Sequence, residues 1–146
     1  MTETVEQKAQ NLKPKKEIKA ITKSIYGEIL KDFPEFMKNP LNKIDPHTQY
    51  TPGIEGYVFD GRDESQMAFW TYNQNAKSTT HSHEYDEYIV VVQGQYTVIL
   101  DNEKITLNPG DEYLIGKGVS HGGEATSGTR AIYAFGGKRA TRKIKE

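Results

Sequence analysis

At 146 residues, with 35% hydrophobic and 27% charged side chains, the chain suits one globular domain and is too apolar for a disordered one. Its net charge of −1 is unevenly spread: residues 1–39 carry +2, residues 40–137 carry −7 and residues 138–146 carry +4. The acidic body argues against nucleic acid as a partner, and the lack of cysteine excludes disulfides, thiolate zinc sites, iron–sulfur clusters and cysteine nucleophiles.

Residues 1–14 are polar, offer almost nothing to bury and read as a mobile arm. They show no basic segment leading into an apolar stretch, so a cytoplasmic location is expected. No membrane partner is expected either, since apolar runs such as 88–92 stop at five residues. Over 14–33, Ile18, Ile21, Ile25 and Ile29 recur at helical spacing, with Tyr26, Leu30 and Phe33 widening the stripe. An amphipathic helix is expected there, weakened by Gly27 and ended by Pro34. Prolines 34, 40, 46 and 52 then mark an irregular connector to residue 54, so 15–54 reads as helix plus connector. His47 lies within it as a loop residue.

From residue 55 the sequence turns to short strands, expected at 55–60, 66–73, 79–84, 87–93, 95–100, 104–107, 112–115 and 130–136. Asp101-Asn102 suits a tight hairpin, and Asn108-Pro109-Gly110-Asp111 a second turn. Many short strands with no helical period between them predict an all-β sandwich or barrel over 55–137. The basic residues of 138–146 read as a solvated tail.

Two of the four histidines form His81-Ser82-His83. On a strand, such a pair points to one side of the sheet. Glu87 follows after a short bend at 84–86, where Glu84 and Tyr85 read as solvated and Asp86 as a possible acceptor for an imidazole N–H. His121 comes after Gly116 and Gly118, which bring the chain back over the mouth. Three imidazoles and one carboxylate suit one borderline divalent metal per chain: iron, manganese, nickel, cobalt or zinc. Four protein ligands leave one or two positions open to a substrate oxygen, water or dioxygen.

The stretch His81-x-His83-x3-Glu87-x6-Gly94 resembles the first motif of the cupin family. Gly110-x5-Gly116-x-Gly118-x2-His121 resembles the second, with departures at Asn75, Gly116 and Ala125. The resemblance covers roughly residues 55–137. It implies a double-stranded β-helix, or jelly-roll, barrel, here with the N-terminal helical extension. It also implies His81, His83, Glu87 and His121 as the metal ligands.

Parity from Glu87 puts Ile89 and Val91 inside and leaves Tyr88, Val90 and Val92 on an apolar outer face. The N-terminal helix or a second copy must cover that face, and a homodimer is expected. Tyr72 and Tyr133 are candidates to present hydroxyls to a small-molecule ligand. The expected function is an enzyme acting on a small oxygen-rich carboxylate, enol or sugar derivative, by dioxygenase or isomerase/lyase chemistry. Glu87 would be its catalytic carboxylate. A non-catalytic, metal-dependent sensor is the alternative, and a purely structural barrel the third reading.

Overall fold

The computed structural model describes residues 23–144. It divides into two units, one ending at Pro34 and the other starting at Glu35.

In the first unit, β1 (Lys23–Ser24) and β2 (Gly27–Glu28) form a hairpin where the helix was expected. Two local features decide this. The Ser24 hydroxyl accepts a hydrogen bond from the Tyr26 amide (3.1 Å), closing a turn that competes with helix. Gly27 then takes φ 145°, a conformation no helix contains. The stripe residues Ile25 and Ile29 are exposed. The rest of the expected helix, and the arm at 1–14, lie outside the described residues.

The second unit opens with three 3-10 turns, at Glu35–Lys38, Pro40–Asn42 and Pro46–Thr48. The side chains of Asn39 and Asp45 cap the latter two, and His47 is exposed on the last. Nine strands follow: β3 (Ile54–Asp60), β4 (Gln66–Tyr72), β5 (Ala76–Lys77), β6 (Glu87–Gln93), β7 (Tyr96–Ile99), β8 (Lys104–Leu107), β9 (Glu112–Ile115), β10 (Gly122–Ala125) and β11 (Arg130–Phe135). They build a four-stranded sheet, β5-β10-β7-β8, and a five-stranded sheet, β3-β4-β11-β6-β9. Every pairing is antiparallel. Among the described residues no helix is long and apolar enough to cross a membrane.

Period-two alternation sorts the side chains. Along β6, Glu87, Ile89 and Val91 are buried, while Tyr88 and Val90 are half-buried and Val92 is exposed. Val58, Ala68, Trp70, Ala131, Tyr133 and Phe135 join the inner face, with Val98 and Leu107 from the other sheet. Both expected turns are present: Leu100 donates its amide to the Glu103 carbonyl (2.9 Å), and Asp111 donates to the Asn108 carbonyl (2.9 Å).

Two strand expectations need correction. Residues 79–84 form no regular strand; they hold only an isolated bridge between His81 and His121. Residues 122–125, absent from the expected strands, form β10, whose Gly-Gly start has no side chains to display an alternating pattern. Gly123 is required there because a Cβ would collide with the Tyr96 hydroxyl.

The 138–144 segment is not a solvated tail either. Asp45 donates its amide to the Thr141 carbonyl (2.7 Å), and Lys143 donates to the Lys43 carbonyl (2.8 Å). Arg142 pairs with Asp60 at 2.6 Å. Its charge was visible in the sequence; the carboxylate and carbonyls that receive it were not.

Candidate metal centre

The loop before β6 and the loop before β10 are clipped together at their histidines. His81 N–H donates to the His121 carbonyl (2.8 Å), and His121 N–H donates to the His81 carbonyl (2.9 Å). Gly118 N–H donates to the His83 carbonyl (2.8 Å), so a second rung lies two residues further along. This short antiparallel pairing keeps the i, i+2 geometry a strand would supply, and both imidazoles enter the same space. Glu87, the first inward residue of β6, closes the group.

The ligating atoms of His81, His83 and His121 lie within 4.8 Å of one another. Glu87 reaches between two of them, with Oε1 3.3 Å from His83 Nε2 and Oε2 3.6 Å from His121 Nε2. Donors each about 2.1 Å from a common ion stand roughly 3–3.5 Å apart, which the Glu87 separations match, while the imidazole nitrogens draw closer to reach it.

The outer nitrogens are already held. His81 Nδ1 faces the Thr79 carbonyl at 2.7 Å, and His121 Nδ1 faces the Val119 carbonyl at 2.9 Å. A carbonyl only accepts, so each Nδ1 carries a proton, and Nε2 is the ring nitrogen that faces inward to take a metal. The Nε2 atoms of His83 and His121 are buried and have no hydrogen-bond partner. Burial, together with the neighbouring imidazoles, drives His81 down to about 4, so its ring is neutral at neutral pH. Three imidazoles and a buried carboxylate form a donor set that a divalent cation completes.

His83 differs in its support. Its Nδ1 lies 3.3 Å from the Tyr85 hydroxyl, and the two rings stack at 5.0 Å. Tyr85 is therefore half-buried against the site rather than part of a solvated bend. Burial pushes its phenol up to about 12, so it stays protonated at neutral pH. Tyr85→Phe keeps the stack and removes only the hydroxyl that holds Nδ1. We expect it to weaken metal binding about tenfold, read by competition with a chelator; an unchanged affinity would show that the hydroxyl is idle. Asp86 takes a different part from the one considered for it: its carboxylate accepts from the Lys117 amide (2.8 Å) and ties the two loops together.

Beside the donors lies a cavity of about 30 Å³, whose walls include Trp70, Tyr72, Tyr96, Tyr133 and Phe135. Tyr72 and Tyr133 meet hydroxyl to hydroxyl at 3.0 Å, both fully buried. Burial raises Tyr72, Tyr96 and Tyr133 well above the usual phenol value, and the Glu87 charge adds to this, so all three remain neutral donors.

Two further residues of the wall have no counterpart in the sequence expectations. Tyr50, from the connector, stacks on His81 with centroids 4.1 Å apart and planes 7° apart. Arg139, beyond the last strand, places its guanidinium carbon 4.7 Å from the Tyr50 centroid and donates from Nη1 to the Thr48 carbonyl (2.9 Å). Arg139 sits in the basic run that begins at Lys138, and nothing local separates it from its neighbours. Nothing in the local sequence marks Tyr50.

Comparison with known proteins agrees with this architecture. The family model described as "Cupin domain" matches residues 68–135. The pectin degradation protein KdgF of Dickeya dadantii (strain 3937) is 29% identical over 97 residues, which are 65% of this chain and 88% of that protein. The solved structure of KdgF from Halomonas sp. is 30% identical, with a TM-score of 0.53 over 57% of this chain and 80% of that one. An RmlC-like cupin from Shewanella frigidimarina NCIMB 400 shares the fold at 21% identity, with a TM-score of 0.57 over 71% of this chain and 86% of that one. With its barrel, its histidine cluster and these relatives, the chain belongs to the cupin superfamily.

Proposed function

We propose that this protein is a metal-dependent enzyme that isomerises a small sugar acid, with His81, His83, Glu87 and His121 holding one divalent ion. The observation that carries this reading is the placement of Arg139. It is the one cation among the described residues lining the cavity, and it shares that cavity with the donor cluster. Its guanidinium spends one donor on Thr48, leaving the rest of the planar fork for a carboxylate. A relative named for pectin degradation fits this choice, since pectin is built from sugar acids.

A divalent ion bound by the four donors supplies a Lewis acid for a substrate carbonyl oxygen. The chain supplies the rest. Arg139 fixes the carboxylate end. The hydroxyls of Tyr72 and Tyr133, bonded to each other, form a polar spot in the wall that can turn toward a ligand hydroxyl or carbonyl. Glu87, the one carboxylate in the wall, takes a proton from the carbon beside the carbonyl and returns it to the neighbouring position. Such an isomerisation needs no co-reactant.

The test is a screen of keto and aldehydo sugar acids with metal-reconstituted protein, followed by NMR and by oxygen uptake. Turnover without oxygen consumption, abolished in Glu87→Gln and with KM raised at least tenfold in Arg139→Met, is the expected result. Oxygen consumption would favour dioxygenase chemistry. Tight binding of a compound recovered unchanged would favour a sensor.

We further propose that two copies pair through the outer face of the five-stranded sheet. Strand register lines up Phe59, Met67, Ala134, Tyr88 and Leu114 as one apolar row across all five strands. Leu114 is 63% exposed and Met67 47%. Light scattering is expected to give twice the 16.5 kDa chain mass, falling to the single mass in Leu114→Glu. A single mass for the wild type at micromolar concentration would refute the pairing.

A further inference from the structure

The cavity beside the metal donors is too small for the substrate just proposed. About 30 Å³ holds roughly one or two waters, whereas a six-carbon acid replaces several. An acid that reaches the donors must extend out past the rim or displace part of the wall.

The deep wall is locked. Trp70 and Tyr96 each pack edge-on against Tyr133, which stacks on Phe135. His81 and His121 are fixed by their backbone bridge. At the rim, Tyr50 differs from all of these. Its ring covers His81 at 4.1 Å and comes within 6.0 Å of His83, yet the residue is 40% exposed.

Its backbone is pinned: the Tyr50 carbonyl accepts from the Thr79 amide (3.2 Å), and upstream Ile44 donates to the Gly56 carbonyl (2.9 Å). The side chain is therefore the part that can swing without disturbing the barrel. Tyr50 also lies outside the 68–135 stretch that the family model matches, so this covering belongs to the connector rather than to the shared barrel.

We propose that Tyr50 sets the size of ligand admitted to the metal centre. The ring at rest on His81, held by its stack and by the Arg139 guanidinium, excludes anything larger than a few heavy atoms. A larger acid enters only by displacing it, and that lost stacking and cation–π contact weakens binding by about tenfold. This inference rests on the proposed metal site having an open position, so its test reads that position directly rather than turnover.

Cobalt-loaded protein serves, because the visible spectrum of cobalt(II) changes when an anion enters its coordination. Acetate and glucuronate are titrated separately, one small and one a sugar acid, so that Arg139 sees a carboxylate in both. Tyr50→Ala is expected to tighten glucuronate about tenfold while changing acetate less than twofold. Tyr50→Phe, which keeps the ring, is expected to preserve the wild-type ratio of the two affinities. Should Tyr50→Ala load cobalt poorly through loss of support to His81, Tyr50→Val keeps a packed side chain there and is read in the same way. An unchanged ratio in the truncated variant overturns the inference. A wild-type protein that takes up cobalt but answers neither anion overturns the open-position reading beneath it, which is a different result.

Discussion

His83→Ala/His121→Ala is expected to carry no divalent metal by elemental analysis and to melt at one temperature with or without added ion. The wild type, in contrast, is expected to gain about 3–4 kcal/mol when free metal stands at 100–1,000 times its dissociation constant. For a chain of this length that is a rise of roughly 10 °C. The size of the effect follows from the donor atoms. The Nε2 atoms of His83 and His121 are buried without a hydrogen-bond partner, and the Glu87 carboxylate stands 3.3 and 3.6 Å from them. Burying a carboxylate among them is costly, and an ion relieves that cost in a site whose ring orientations the Nδ1 bonds and the His81–His121 bridge have already set. Deleting two imidazoles removes the reason for the ion to bind and part of the reason for the site to be strained. The metal-free variant should therefore lose less stability than two buried truncations ordinarily cost. Full metal retention in this variant, or in His81→Ala/His83→Ala, would end the assignment.

The parts of the molecule that were legible in the sequence are those where one physical rule acts locally. The inward set Glu87, Ile89, Val91 follows from strand parity alone, and the hairpin at 101–102 from turn chemistry. The histidine geometry was legible for a subtler reason. Residues 79–84 are not a regular strand, yet the bridge at His81 imposes the local extended geometry on which the i, i+2 argument depends. Features that escaped depend on partners distant in the chain. Arg139 acquires meaning only beside Thr48, and Tyr50 only beside His81. β10 escaped because Gly122 and Gly123 carry no hydropathy signal, although the close approach of Tyr96 is what demands glycine there. The expected helix over 14–33 fails within the described residues for the opposite reason. Its apolar period was real, but Gly27 and the Ser24 turn overrule period locally.

Gln66→Leu is the second substitution expected to have a large effect, and it would act from outside the metal site. Gln66 is 3% exposed, and its amide makes four hydrogen bonds. Its Oε1 accepts from the backbone amides of Arg139 (2.7 Å) and Ala140 (2.9 Å). Its Nε2 donates to the Asp60 carboxylate (2.9 Å) and the Ala140 carbonyl (3.0 Å). Leucine is close in size and satisfies none of these. Two backbone amides and a carbonyl would be left buried without partners, each costing about 1–3 kcal/mol. The protein has one escape, which is to let 138–144 detach so that water satisfies those groups. The observed loss is then capped by the free energy that docks the segment through Arg142, Asp45 and Lys43. A net loss of about 3 kcal/mol or more in chemical denaturation is expected, with faster tryptic cleavage after Arg139 or Arg142. Because Arg139 leaves the cavity wall when the segment detaches, the variant should also lose affinity for carboxylate ligands while keeping its metal content. A variant that denatures within about 0.5 kcal/mol of the wild type and resists trypsin equally would show that the four bonds do not hold the segment.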